Sequence, residues 1–307
     1  MQESGLGFDR RSKTALPRLA TGRANLMGKI MRPVINGSAR IPKPQGSDLA
    51  VFDIAACAAL MERLTAIATR AATTIRQCGP GLLRQKADGS PVTAADEAAE
   101  AVILQGLEQL APQIPVISEE RSAAAQVSAS AGSTYFLVDP LDGTREFVSG
   151  RDEFTVNIAL IDAGAPILGI VTAPAVDVTW RGIVGGGAEL TGKGTRTAIR
   201  TRRRPAHPVV MISRSHLDAD TKAYLANLAG GSAVSCGSSM KFCRIAEGSA
   251  DVYPRLSPTH DWDVAAGHAI VVAAGGDVRT AGGSALIYDT PQRLIPDFIA
   301  RGDASAE

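Results

Sequence analysis

Between residues 49 and 77 the apolar side chains Ile54, Cys57, Leu60, Met61, Leu64, Ile67 and Ala68 recur at threes and fours. That spacing lines them along one stripe of an amphipathic helix, which Gly79-Pro80-Gly81 terminates. Pro91-Val92-Thr93 introduces a second helix over residues 94–110, with Asp96 and Glu97 in an acid-rich first turn. Strand patterns follow. Val116-Ile117 is a short one, residues 118–133 read as a polar loop or weak helix, and the run Tyr135-Phe136-Leu137-Val138 buries as a strand. Residues 155–161 and 167–173 read as an antiparallel pair joined by Asp162-Ala163-Gly164, and residues 178–184 continue the meander. No helix pattern follows Gly185-Gly186-Gly187, so it reads as a tight turn rather than a phosphate cradle.

At Thr201-Arg202-Arg203-Arg204-Pro205 the composition shifts, which suggests a domain junction. Beyond it come a buried strand at residues 209–212 and helices at 220–228, 240–247 and 263–274, the last entered from Pro258-Thr259-His260-Asp261-Trp262. Strands and helices alternate there, after an α+β first part. The division is therefore an extension over residues 1–47, an α+β part over 48–204 and an α/β part over 205–307. Together they predict a sandwich of alternating helix and sheet layers, with the active site where the two parts meet.

Charge separates the extension from the rest. The chain of 307 residues carries a formal charge of +1, yet residues 1–47 hold nine Lys/Arg against only Glu3 and Asp9. The body is thus mildly acidic, which argues against binding a nucleic-acid duplex by neutralising its phosphates. The extension, basic and rich in Gly, Pro and Ser, reads as a disordered tail or as a start codon placed upstream of Met27 or Met31; a targeting peptide is the alternative. Cys57, Cys78, Cys236 and Cys243 form no Cys-x-x-Cys pair and read as free thiols of a reducing, cytoplasmic compartment, Cys57 and Cys243 as core residues. No stretch approaches the roughly 20 apolar residues of a membrane span.

Candidate chemistry starts where the 135–138 run ends, in Asp139-Pro140-Leu141-Asp142-Gly143-Thr144. A strand that exits into two acids around a proline turn makes poor core material. Pro140 should stop the ladder, and Asp139, Asp142 and the Leu141 carbonyl then offer an all-oxygen site of the kind Mg²⁺ prefers. Glu119 and Glu120 after the strand at 116–117, Asp96 at one helix start and Asp263 at another supply partners for a cluster holding two or three divalent ions. No Ser-His-Asp or Cys-His pattern offers a competing nucleophile.

Glu119-Glu120, the Asp139 to Thr144 turn and Trp262-Asp263-Val264-Ala265-Ala266-Gly267 together resemble the signature of the Mg²⁺-dependent, lithium-sensitive inositol monophosphatase superfamily. Lys86-Ala87-Asp88-Gly89-Ser90-Pro91, Gly143-Thr144-Arg145-Glu146-Phe147, Ser213-Arg214-Ser215-His216 and Gly237-Ser238-Ser239-Met240-Lys241 are most similar to its bacterial 3′(2′),5′-bisphosphate nucleotidase branch. The resemblance implies an αβαβα layered fold. It implies Glu119, Asp139, Asp142, Asp263 and the Leu141 carbonyl as metal ligands, Glu120 either just behind them or as an alternative ligand, and Asp96 and Thr144 as the catalytic pair that orients and deprotonates water, with Glu119 assisting. Substrate contacts would come from Glu119, Leu141, Asp142, Gly143, Thr144 and Asp263, and, at a second phosphate, from Arg214, His216, Ser238, Lys241 and Arg255. The implied reaction takes adenosine 3′,5′-bisphosphate to AMP and phosphate, with 3′-phosphoadenylyl sulfate as a second substrate. An inositol or sugar phosphatase, and a non-catalytic nucleotide-binding protein, are the alternatives. A monomer or homodimer, in the cytoplasm or peripherally on the inner membrane's cytoplasmic face, fits the resemblance.

Overall fold

The computed structural model describes residues 52–86, 89–122, 133–228, 230–288, 290 and 292–302. The expectations for residues 1–47, and for most of the polar stretch at 118–133, lie outside them. Helix α1 (Ile54–Cys78) begins one residue after Asp53, whose carboxylate accepts from Ala56 N at 2.8 Å, and ends at Gly79 with φ 64°. Its apolar stripe, continued by Ala71, Ala72 and Ile75, is buried as the spacing required. The small ladder of β1 (Arg84–Gln85) and β2 (Pro91–Val92) leads into α2 (Ala94–Leu110).

A seven-stranded sheet follows. It contains β3 (Val116–Ser118), β4 (Tyr135–Asp142), β5 (Thr155–Asp162), β6 (Ala165–Ala173), β7 (Val178–Ile183), β8 (Gly187–Gly192) and β9 (Thr195–Ile199), in chain order across the sheet. Only the β3–β4 pair is parallel. A short α3 (Glu119–Ser122) lies between β3 and β4, and α4 (Thr144–Val148) follows β4. Tyr135 and Leu137 enter one core and Phe136 and Val138 the other. This alternation explains why the run reads as unbroken hydrophobicity: the sheet is covered on both faces.

The second sheet draws on β10 (Val209–Ser213), β11 (Ser232–Cys236), β12 (Val252–Arg255), β14 (Asp277–Arg279) and β16 (Phe298–Arg301), ordered β11-β10-β12-β16-β14. β13 (Thr259–His260) and β15 (Leu294–Ile295) pair separately. The helices of this half are α5 (Ala219–Asn227), α6 (Met240–Ala246) and α7 (Ala265–Ala273). Helices α1 and α2 cover one face of the large sheet, α6 and α7 fill the space between the sheets, and α5 covers the outer face of the small sheet. The order of layers is αβαβα. Ala50–Glu307 is one compact unit, and residue 204 falls between its two sheets in sequence.

Glycines fix how closely α7 approaches the large sheet. A Cβ on Gly169 would stand 2.2 Å from the Ala266 carbonyl oxygen, and one on Gly182 would stand 2.8 Å from Ala273 Cβ. Backbone cannot yield as a side-chain tip does. Gly169→Ala is expected to destabilise the fold by about 1–3 kcal/mol, the usual cost of overpacking. A denaturant melt checks this, and an unchanged midpoint would refute the close contact. Because Asp263 precedes α7 directly, the same contact sets the distance between Asp263 and β4.

Candidate active site

Strand β4 does not stop at Pro140 as its sequence suggests. It runs on to Asp142, but the pairing slips: Asp139 faces Asn157 while Asp142 faces Thr155, which leaves an extra residue on β4. Such a bulge re-aims side chains. It turns Asp139 and Asp142 together, and Leu141 N donates to Asp139 Oδ1 at 3.0 Å. Gly143 (φ 93°) then reverses the chain into α4, and a Cβ there would meet Glu153 O at 3.0 Å.

Asp263 arrives from the other half of the chain, in the single 3₁₀ turn Asp261–Asp263 rather than in α7 itself. The Thr259 hydroxyl donates to its Oδ2, and Ser239 Oγ donates to its carbonyl oxygen at 2.9 Å. Ser239 also donates its backbone N–H to Asp142 Oδ2 at 2.6 Å, which ties the start of α6 to both acids. Ligand oxygens of Asp139, Asp142 and Asp263 all lie within 4.8 Å of one another.

Three carboxylates this close repel one another. Burial first, then the charges of Glu119, Asp142 and Asp263, push the Asp139 carboxyl well above its ordinary range. Burial and Asp263 push Asp142 up to about 6 against the opposing pull of Lys241, Ser239 and Asn157; burial also raises Asp263, opposed by the Thr259 hydrogen bond. Glu119 adds to the push on Asp139, and a cation among these oxygens would cancel the repulsion. An all-oxygen, charge-frustrated donor set of this kind fits a hard divalent ion.

Glu119 is partly engaged elsewhere. Lys86, between the arms of the β1–β2 ladder, donates to Glu119 Oε1 at 2.8 Å and to Glu120 Oε1 at 2.7 Å. Burial opposes the Lys86 charge, but Glu119 and Glu120 outweigh it and raise its pKa. Burial holds Glu120 up at about 7 despite the Lys86 bond, and Glu120 is not among the residues lining the cleft.

Asp96 has two jobs. As the third helical residue of α2 it completes a capping box, accepting from Thr93 N at 2.9 Å and Thr93 Oγ1 at 2.6 Å. Its other oxygen accepts from Thr144 Oγ1 at 3.0 Å, and the Thr144 hydroxyl also lies 3.2 Å from the Leu141 carbonyl. Burial raises the Asp96 carboxyl, opposed by the hydrogen bonds from Thr93 and Thr144. Asp96 reaches the cleft only through Thr144.

The cleft has a volume of about 490 Å³ and opens onto Glu119, Asp139, Leu141, Asp142, Gly143, Thr144 and Asp263. It is also lined by Arg145, His216, Ser238, Lys241 and Arg255. Lys241 is buried, donating to Ser238 O at 2.5 Å with its ammonium 5.1 Å from the Tyr253 ring centre. Among the described residues, Arg255 Nε is buried without a hydrogen-bond partner. Burial, then Arg255 and Arg145, lower the pKa of His216, while Glu146 raises it. Arg214 is placed differently from the expectation: Glu153 holds it through two bonds of 2.8 and 2.7 Å, and it is not among the residues lining the cleft. Lys86, Ser239, Thr259 and Arg145 are the contributors that sequence reasoning did not assign. Each stands inside or beside a quoted motif, and motif membership was the available signal.

The inositol monophosphatase family model matches residues 46–302. The 3′(2′),5′-bisphosphate nucleotidase CysQ of Shigella flexneri is 48% identical over 246 residues, covering 78% of this chain and 98% of its own, and that of Escherichia coli K12 is 47% identical over the same shares. Among solved structures, CysQ from Bacteroides thetaiotaomicron superposes with a TM-score of 0.68 at 33% identity, covering 80% of this chain and 97% of that one. An inositol monophosphatase from Zymomonas mobilis gives 0.67 at 27%, covering 81% and 95%. No helix among the described residues is long and apolar enough to cross a membrane. With the layered fold and the acidic cleft already in place, the match over residues 46–302 puts the chain in the inositol monophosphatase family.

Proposed function

We propose that this protein is a Mg²⁺-dependent phosphatase that removes the 3′-phosphate of adenosine 3′,5′-bisphosphate, giving AMP and phosphate. The observation that carries this reading is one cleft lined both by an acidic triad and by the cations Arg145, Lys241 and Arg255 beside His216. One phosphate needs the metal; a second, unreacting one needs fixed positive charge. The relatives named as bisphosphate nucleotidases support the same substrate class.

In this reading Asp139, Asp142, Asp263, Glu119 and the Leu141 carbonyl hold two or three Mg²⁺ ions. Bound there, the metal supplies Lewis acidity, neutralising charge on the phosphate oxygens and making water a better nucleophile. The chain does the rest. Thr144 gives its proton toward Asp96 and accepts one from the attacking water, which orients a lone pair at phosphorus; the bond from phosphorus to the ribose 3′-oxygen breaks, and that oxygen takes up a proton from solvent. Ser238, Lys241, Arg255 and His216 hold the second phosphate, so the scissile group stays in line.

A phosphate-release panel tests this, using adenosine 3′,5′-bisphosphate, inositol 1-phosphate and fructose 1,6-bisphosphate with Mg²⁺ and with added Li⁺. The bisphosphate nucleotide should be preferred and Li⁺ should inhibit; preference for either other substrate overturns the assignment.

Metal binding should also show in stability. The folded-state pKa values of Asp139, Asp142 and Asp263 are raised, so without metal their charging opposes folding. That penalty is absent below the unfolded carboxylate value of about 4 and grows as pH climbs through the folded values. Saturating Mg²⁺ offsets it, so the Mg²⁺-induced rise in Tm should be larger near pH 8, where a hundredfold excess over Kd stabilises the fold by about 2.7 kcal/mol, than near pH 5. Equal shifts at both pH values would contradict the site.

A further inference from the structure

We infer that Glu153 is a positioning residue that sets the spacing between the acidic turn of β4 and the side chains that meet the substrate's second phosphate; this deepens the proposed nucleotidase reading and rests on it. Glu153 is not among the residues lining the cleft, so whatever it does for substrate it does through others.

Topology brings those others together. β10 and β11 run parallel with Ser213 beside Cys236, so the segments leaving them, 213–216 and 237–239, emerge side by side. Both reach the cleft, the first with Ser213, Ser215 and His216, the second with Gly237 and Ser238, and Lys241 follows in α6. Glu153 comes from the other sheet, two residues before Thr155, which faces Asp142 across the β4–β5 pair. Its one carboxylate takes hold of both segments. Oε1 and Oε2 accept from Arg214 at 2.7 and 2.8 Å, and Oε2 also accepts from Gly237 N at 2.9 Å. Arg214 Nη2 reaches on to Ser235 O at 3.1 Å, and the neighbouring Ser215 hydroxyl donates to Glu146 in α4 at 2.8 Å.

The backbone is fitted to the same purpose. A Cβ on Gly143 would stand 3.0 Å from the Glu153 carbonyl oxygen, and one on Gly237 would stand 2.7 Å from it. That carbonyl is therefore wedged between the acidic turn and the second segment. Next to Gly237, Ser238 has φ 50°, a backbone that a residue with a Cβ keeps only when its surroundings impose it. The Ser238 carbonyl then accepts from Lys241 Nζ at 2.5 Å. Lys241 thus takes its place from Ser238, Ser238 from Gly237, and Gly237 from Glu153. A two-pronged Arg–carboxylate pair fixes direction as well as distance, and with its partners 30% and 25% exposed it is screened less than a pair in open solvent.

The test measures KM and kcat for adenosine 3′,5′-bisphosphate, together with Tm, in wild type, Glu153→Gln, Arg214→Gln, Arg214→Lys and the double variant Glu153→Gln/Arg214→Gln. Glutamine keeps the shape of Glu153 and loses the charge that grips Arg214. KM should rise about 3- to 100-fold, the span of coupling within one hydrogen-bonded network, while kcat and Tm stay near wild type because the acidic turn is untouched. Arg214→Gln frees one segment rather than two and should raise KM less, and Arg214→Lys should recover part of that loss. The double variant should match Glu153→Gln alone. An unchanged KM in Glu153→Gln, or a fall in kcat or Tm without a rise in KM, reduces Glu153 to a structural residue and overturns the inference. A double variant whose KM rise is the product of the single rises overturns it too, since Glu153 and Arg214 would then act separately. Each of these leaves the nucleotidase reading standing, whereas a wild-type protein that does not hydrolyse the nucleotide overturns both.

Discussion

Asp142→Asn is expected to reduce Mg²⁺-dependent phosphate release by more than about a hundredfold, since even residues one shell behind a metal ligand cost ten- to a hundredfold. Asparagine keeps the shape of the side chain, and its amide oxygen can still accept from Ser239 N, which now meets Asp142 Oδ2 at 2.6 Å. What disappears is the charge. That loss separates a metal ligand from a structural acid, because it acts on stability in the opposite direction. Asp142 sits among like charges that drive its pKa up to about 6. Removing one of them should raise Tm in metal-free buffer at pH 8 and shrink the gain from added Mg²⁺. Lost activity together with higher metal-free stability identifies a site built around a cation. Unchanged phosphate release would remove Asp142 from the metal site.

How much of this was legible beforehand depends on how far apart the partners lie in sequence. The Asp139 to Thr144 turn is contiguous, and its two acids, carbonyl and hydroxyl converge through local geometry alone. The bulge that lets β4 continue past Pro140 depends on pairing with β5, so the ladder appeared to end one step early. Arg214 looked like a free cation because its partner Glu153 lies 61 residues away. Lys86 and Glu119 meet across 33 residues, again beyond any local pattern. The short strands β11, β12, β14 and β16 carry too few residues for a clear period and become strands by lying side by side. Gly169 and Gly182 read as ordinary strand positions, yet they decide how near α7 and Asp263 come to the sheet. The layered fold followed from pattern, and the acidic group, Lys241 and Arg255 from motifs; that Arg145 lines the cleft and Arg214 does not depends on the tertiary fold.

The second large effect should come from the hydroxyl that links Asp96 to the cleft. Thr144→Val replaces Oγ1 by a methyl of similar size, so α4 and the Gly143 turn keep their packing. It removes the bond to Asp96 Oδ1 at 3.0 Å and the contact with Leu141 O at 3.2 Å. If Thr144 passes the water's proton toward Asp96, kcat should fall about 10²- to 10⁴-fold, the span of a positioned general base. KM should move little, because the metal ligands and the cations at the second phosphate are untouched. Thr144→Ser keeps the oxygen and should retain most of the activity. Asp96→Asn tests the same relay from its other end, although Asp96 also caps α2 through Thr93, so its melting temperature must be followed in parallel. Two residues acting as one unit are not additive. The double variant Thr144→Val/Asp96→Asn should therefore be about as slow as the slower single one. If its rate loss were instead the product of the two single losses, Thr144 and Asp96 would act separately, and the proton path through the hydroxyl would be wrong.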